Sequence, residues 1–136
     1  MRKYSESSTR LILIACGLMT GGLGVISISP EFFIVKLFKL DYVQDFDIII
    51  RHWSASVFVL GVFLIISAFN EKWRIPLVLF AIIEKVYLVV VCIFALKYSY
   101  GESFAIVIPL DTIMCLLLAF VLLNEFKKSD RKEVLK

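Results

Sequence analysis

Residues 75–96 read IPLVLFAIIEKVYLVVVCIFAL, and this stretch decides the fold class. A helix that crosses a bilayer needs ~20 consecutive apolar residues, and this run is long enough. Charge interrupts it only at Glu84 and Lys85, and the polar turn Asn70-Glu71-Lys72-Trp73-Arg74 precedes it. We therefore expect one continuous membrane-spanning helix with two charged side chains near its middle.

Three further stretches of the chain have a similar character, at residues 11–29, 52–69 and 104–123. The composition agrees, because 60% of the residues are hydrophobic and the mean hydropathy is +0.91. A soluble domain is typically only ~45–50% apolar. The sequence predicts an all-α integral membrane four-helix bundle, a single domain over residues 1–136 with a basic cytoplasmic tail at 124–136.

The distribution of Lys and Arg predicts the orientation. Four spans place both termini on one side, and that side carries most of the basic residues: Arg2, Lys3, Arg10, Lys72, Arg74, Lys127, Lys128, Arg131, Lys132 and Lys136. The other side has only Lys36, Lys39, Arg51 and Lys97. We expect an inner-membrane protein with both termini in the cytoplasm. The alternative, that the first apolar run is a cleaved signal peptide, is disfavoured by the length of the run and by Pro30.

The first outer connection contains residues 31–40, which read EFFIVKLFKL. This segment is too short to span a bilayer and too apolar for an ordinary loop. It fits a short helix in the outer interface, with Lys36 and Lys39 reaching water. It fits equally well a lid packed over the mouth of the helices.

Small residues recur on one face of each of the first two predicted spans. In lipid, helices associate through close backbone approach, so such faces predict packing seams. Two interpretations follow, packing inside one chain or a homodimer. The seam residues are Gly17, Gly21 and Gly24 in the first span and Ser54, Gly61 and Ala68 in the second.

Charged residues inside the predicted spans form the candidate site. A rise of ~1.5 Å per helical residue puts Lys85 and Asp111 at similar depths, so we expect them to pair. Glu84 points ~100° away from Lys85, which predicts other partners for it, Arg51 or His52 through water, or nearby hydroxyls. The predicted set is Arg51, His52, Glu84, Lys85 and Asp111. It is either a neutralised polar core or a site for a small polar or quinone-like ligand or a proton.

Little in the chain predicts catalysis. Cys16, Cys92 and Cys115 are isolated in apolar stretches, as expected of small buried hydrophobic residues. His52 is the one histidine, which is too few for bis-histidine haem ligation. We predict no catalytic residue, no metal, no cofactor and no nucleic-acid partner.

The pattern resembles small bacterial four-helix membrane proteins in the neighbourhood of the DoxX-like group. The residues that carry the resemblance are Arg51-His52-Trp53, Gly61, Arg74-Ile75-Pro76, Ala81 to Lys85, and Asp111. Ser54 stands where the pattern has glycine. The resemblance implies a four-helix membrane fold. Some DoxX-like members are associated with membrane oxidoreductase complexes, and animal relatives assist membrane-protein assembly.

The predicted function is accordingly that of an accessory or scaffolding protein without enzymatic activity. Its expected partners are the lipid bilayer and another membrane protein or a second copy of the chain. The alternative is the binding or transport of a small polar or quinone-like ligand through the intramembrane polar residues.

Overall fold

The computed structural model describes the backbone of residues 2–134 and the side chains of residues 6–128. Its regular structure in this part of the chain is entirely helical. The α-helices are α1 (Arg2–Gly22), α2 (Pro30–Leu37), α3 (Asp47–Phe69), α4 (Glu71–Ala95) and α5 (Val107–Val134). Short 3₁₀ turns lie at Leu23–Ser27, Gln44–Phe46 and Ser99–Phe104.

Four of the helices are long and apolar enough to cross a membrane, as the sequence predicted. The corresponding segments are Glu6–Ser27, Gln44–Phe69, Glu71–Ala95 and Val107–Lys128. Between 22% and 39% of each is buried inside the protein, so most of each apolar surface faces outward. In water such exposure would be unfavourable, whereas lipid chains accept it.

The helix bounds differ from the predicted ones mainly at one end of the molecule. Helix α1 begins at Arg2 instead of residue 11, and α5 continues to Val134 instead of ending at residue 123. The predicted bounds followed the apolar stretches and therefore left out the polar residues at these ends. Lys, Arg, Glu and Ser are nevertheless compatible with a helix, and both helices continue beyond the apolar stretches.

The connection between α3 and α4 consists of Asn70 alone. Asn70 has an extended backbone (φ −124°, ψ 98°), and its side-chain oxygen accepts a hydrogen bond from the backbone N–H of Lys72 at 3.2 Å. This is an N-cap, which satisfies one of the free donors at the start of α4. The predicted five-residue turn therefore shrinks to one residue, and Arg74 lies within the first turn of the helix rather than in a loop.

Small residues bring α1 and α3 into close contact. A side chain built on Gly61 would run into the backbone of Gly17 and Gly21, and one built on Gly24 would meet the ring of Phe58. Ser54 and Ala68 are also buried. The predicted seams thus pack against each other within one chain, and a homodimer formed through the same residues would require α1 and α3 to separate.

The remaining contacts complete the arrangement of the long helices. Helix α4 packs against α5, and weaker contacts join α3 to α4 and α1 to α5. The core between them is apolar, with Leu13, Leu64, Val78, Leu118 and Val121 fully buried.

Helix α2 lies at the end opposite to the Asn70 turn. Pro30 is its first residue, a position where the missing N–H costs nothing, and Lys39 ends the segment with a φ of 53°. The ring of Phe38 is 7% exposed and packs on Phe104 from the α4–α5 connection, with 5.1 Å between ring centroids. Phe32 remains 56% exposed. The segment therefore has one side packed over the helix ends and one side open, which combines features of both predicted alternatives.

Candidate functional site

Lys85 and Asp111 form an ion pair between α4 and α5. The Lys85 ammonium lies 3.3 Å from Oδ1 of Asp111. Lys85 is 1% exposed and Asp111 6% exposed. This confirms the predicted pair. The physical basis is that a charge in an apolar interior is tolerated only when a partner neutralises it.

Glu84 also interacts with Lys85, with its Oε2 3.3 Å from the ammonium. The prediction that Glu84 does not share the face of Lys85 and has other partners was therefore wrong. It considered only the ~100° between successive Cα–Cβ directions. The lysine stem is long and flexible, and it brings the ammonium to the carboxylate of the adjacent residue. Among the described contacts, Arg51, His52 and the hydroxyls considered earlier are not partners of Glu84.

Two carboxylate oxygens of this group make no hydrogen bond within the described part of the chain. They are Oδ2 of Asp111 and Oε2 of Glu84, and both atoms are buried, although Oε2 of Glu84 is also the atom that forms the ion pair with Lys85. The group, which we call the Lys85 triad (Glu84, Lys85 and Asp111), contains two acids and one base. An unmet buried acceptor costs free energy, so the Lys85 triad has unused capacity for a proton or another donor.

A second charged cluster, which sequence reasoning missed, lies at the end of the molecule near the Asn70 turn. We call Glu6, Arg74, Glu125 and Lys128 the Arg74 cluster. Arg74 is completely buried. Its guanidinium donates to Glu6 at 2.6 Å and to Glu125 at 3.2 Å. A guanidinium has five N–H donors in a planar fork, which suits several acceptors at once.

The same guanidinium also caps α3. It donates to the backbone carbonyls of Ser67 at 2.9 Å and Ala68 at 2.8 Å. These carbonyls belong to the last turn of α3, where the helix itself supplies no donors. A positive charge is also favourable at the C-terminal end of a helix dipole. Arg74 thereby joins α1, α3, α4 and α5.

Lys128 closes the Arg74 cluster from the side of α5. Its ammonium lies 2.5 Å from Glu6 and 2.7 Å from Glu125. Two acids and two bases make the cluster neutral, and each carboxylate has a basic partner. The pairs of Arg74 with Glu6 and Glu125 and the pair of Lys128 with Glu6 join different helices, which is the arrangement of a structural lock, whereas the Lys128–Glu125 pair lies within α5.

The Arg74 cluster was overlooked because Arg74 was assigned to a loop and counted only as a topology marker. A signal was present in the sequence. Glu6, Arg74 and Glu125 each lie at the boundary of an apolar run, and all three boundaries face the same side in the predicted topology. Opposite charges at one depth on different helices favour pairing.

Arg51 and His52 lie elsewhere, near the start of α3. Arg51 donates to Asp47 at 2.7 Å and to the carbonyl of Ser27 at 2.6 Å. Both Arg51 and His52 are exposed. The structure thus divides the predicted site, since these two residues share no described contact with the Lys85 triad.

An open polar pocket of about 740 Å³ adjoins Arg51. Its lining includes Glu31, Tyr42, Asp45 and Asp47. The hydroxyl of Tyr42 donates a hydrogen bond to the carboxylate of Asp47, and this bond raises the pKa of Tyr42 to about 12. Glu84, Lys85 and Asp111 do not line this pocket.

The other candidate chemistry is limited. Cys16 and Cys92 are buried and Cys115 is partly buried, and all three are free. Across the residues whose side chains are described, no group of three or more His, Cys, Asp or Glu residues could hold a metal ion.

Comparison of the chain with protein-family models, with curated proteins and with solved structures finds no match. The DoxX-like resemblance therefore remains an expectation based on the residues quoted above.

Proposed function

We propose that this chain is an integral inner-membrane protein whose four long helices form a transmembrane bundle. The support is the outward-facing apolar surface of those helices together with charged groups that are paired inside. A soluble protein of this size would have to hide such a surface in an oligomer, whereas a bilayer covers it directly.

The orientation we propose has both termini in the cytoplasm. The Arg74 cluster supports a location of the N-terminal end of α1 and the C-terminal end of α5 on the same side of the membrane, because Arg74 contacts both Glu6 and Glu125. The rule that relates orientation to basic residues counts Lys and Arg in loops, and Arg74 is instead buried in a helix and paired with carboxylates. Without it, the proposed cytoplasmic side still has nine Lys and Arg residues against four on the other.

The role that we propose is that of a non-enzymatic accessory or scaffolding subunit. One observation carries this proposal: the fully buried Arg74 of α4 donates to carboxylates and carbonyls of the three other long helices. Its polar atoms hold the helices together, and Arg74 lines neither of the two described pockets. A rigid small bundle with an apolar exterior is suited to packing against a larger membrane protein, where shape and a few contacts decide binding.

The test is native mass spectrometry of the tagged chain, extracted from its own membrane in a mild detergent. We expect a complex containing a second polypeptide at fixed stoichiometry, which survives removal of bound lipid. A mass equal to the chain alone, or to the chain plus a small molecule, would contradict the scaffolding role.

The second candidate is binding of a small polar or quinone-like ligand, and the open pocket beside Arg51 favours it. The same mass measurement distinguishes the two candidates. A retained molecule whose loss follows Arg51→Gln, with the helix content unchanged, would support the ligand site over the scaffold.

A further inference from the structure

The Lys85 triad has a charge imbalance. If all three groups were ionised independently, two carboxylates and one ammonium would leave one uncompensated negative charge among the helices. Isolated charges in an apolar interior are strongly disfavoured, and a titratable group normally becomes neutral instead. A second cation close to the Lys85 triad would compensate this charge.

The elements packed around the Lys85 triad supply no second cation. Between Arg10 and Glu31 the chain has Cys16 as its one titratable residue, and between His52 and Glu71 it has none. On α4 and α5, the other titratable residues in the central stretches are Tyr87, Cys92 and Cys115, of which Tyr87 is 71% exposed. Arg51 and Arg74 are engaged by their own carboxylates.

The two carboxylates are also close to each other. Glu84 Oε2 and Asp111 Oδ1 each lie 3.3 Å from the same ammonium, so they are separated by no more than twice that distance. Oδ2 of Asp111 is buried without a hydrogen bond among the described residues, and Oε2 of Glu84 also lacks one, although it is the atom that forms the ion pair with Lys85. Two carboxylates that share a site seldom ionise together, and their protonation belongs to the pair.

We propose that the Lys85 triad is a proton-binding site in which Glu84 and Asp111 together hold one exchangeable proton at neutral pH. The bound proton makes the group electrically neutral, with one carboxylate paired to the ammonium and the other protonated. Glu84 is the more exposed of the two carboxylates, with 26% of its side chain accessible against 9% for Asp111. This inference goes beyond the scaffolding role and does not depend on any partner subunit.

Infrared spectroscopy of the full-length protein in lipid vesicles tests the proposal, because the C=O stretch of a carboxylic acid is separate from the bands of carboxylates. The wild-type chain should show this band at neutral pH, and transfer to D₂O should shift it. Glu84→Gln should abolish the band, since Asp111 then ionises as the counterion of Lys85. Asp111→Asn should abolish it for the reciprocal reason. Lys85→Met should about double the band area, because both acids then become neutral.

The control variant is Glu102→Gln, which removes an exposed carboxylate and should leave the band unchanged. Circular dichroism establishes that each variant is folded. If Lys85→Met fails to fold, the two conservative variants still decide the matter. Absence of the band in the wild type, its persistence in Glu84→Gln, or its loss on addition of Na⁺ or K⁺ would overturn the proposal, the last result indicating a bound metal cation instead of a proton.

Discussion

The guanidinium of Arg74 donates to Glu6 across 2.6 Å, although 68 positions separate the two residues in the chain. This contact connects the N-terminal part of α1 with the first turn of α4. Because Arg74 also reaches Glu125 and the last carbonyls of α3, it contacts all four long helices. Removal of this one side chain should therefore affect the whole arrangement.

Arg74→Gln should destabilise the protein by ~3–5 kcal/mol, because it removes the buried cation and its contacts with α1, α3 and α5, and leaves Glu6 and Glu125 with the partly exposed Lys128 as their shared cation. Arg74→Lys should recover only part of the loss, since an ammonium cannot serve four acceptors in a planar fork. Unfolding in detergent, followed by circular dichroism, measures the difference. Lys72→Gln, which changes an exposed cation in the same turn, is the matched control. Equal stability of the Arg74→Gln and Lys72→Gln variants would show that the Arg74 cluster is not a lock.

The contact between α1 and α3 gives a second prediction. Gly61→Ala places a methyl group against the backbone of Gly17 and Gly21, which cannot move without separating the helices. Overpacking of this kind costs ~1–3 kcal/mol or more. Gly22→Ala has open space around the new methyl group and should be neutral or slightly stabilising. The two variants differ only in position, so their melting temperatures in one detergent provide a direct comparison, and similar values would contradict the seam.

Phe38 anchors the segment that follows α2. Phe38→Ala should cost ~3 kcal/mol locally, because the ring is buried against Phe104. We expect faster hydrogen–deuterium exchange over residues 30–43, with little change in α3. Phe32→Ala, on the exposed side of α2, should leave the exchange rates as they are. If both substitutions accelerate exchange equally, the segment is held by something other than this ring contact.

The sequence was sufficient for the long helices because length and hydropathy alone determine whether a helix can cross a bilayer. It was also sufficient for the pair Lys85 and Asp111, since depth follows from helical rise. It failed for Glu84, where side-chain flexibility outweighed the direction of the Cα–Cβ bond. Helical periodicity gives the direction of the Cα–Cβ bond, whereas the charged atom of a long side chain lies several ångströms from Cβ and can point elsewhere.

The Arg74 cluster was not predicted for a different reason. Arg74 lies 51 positions from Glu125 and 68 from Glu6, and the depths of these residues were not compared because Arg74 was assigned to a loop. The prediction also placed a loop at residues 70–74, where one asparagine suffices to begin the next helix. Because α4 begins directly after the capping residue Asn70, Arg74 lies in the helix and is buried, whereas a loop would have left it at the surface.

The proposed orientation predicts the behaviour of reporter fusions. A green fluorescent protein joined after Lys136 should fluoresce, because it folds in the cytoplasm, and alkaline phosphatase at the same point should be inactive. Insertion of either reporter after Glu102, in the connection between α4 and α5, should give the reverse result. Active phosphatase at both points would contradict four crossings, and a full reversal would place the termini outside.

The last prediction concerns the ion pair between α4 and α5. Lys85→Ala leaves two carboxyl groups without a cation and should cost ~3–5 kcal/mol. Asp111→Ala should cost less, because Glu84 lies 3.3 Å from the same ammonium and remains as its counterion. The double variant should be more stable than the sum of the two losses predicts, with a coupling of ~0.5–3 kcal/mol, as expected for residues in contact. Unfolding curves of the wild type, the two single variants and the double variant in one detergent give the double-mutant cycle. Strictly additive losses, or a larger effect from Asp111→Ala than from Lys85→Ala, would mean that Glu84 does not take over the charge of Lys85.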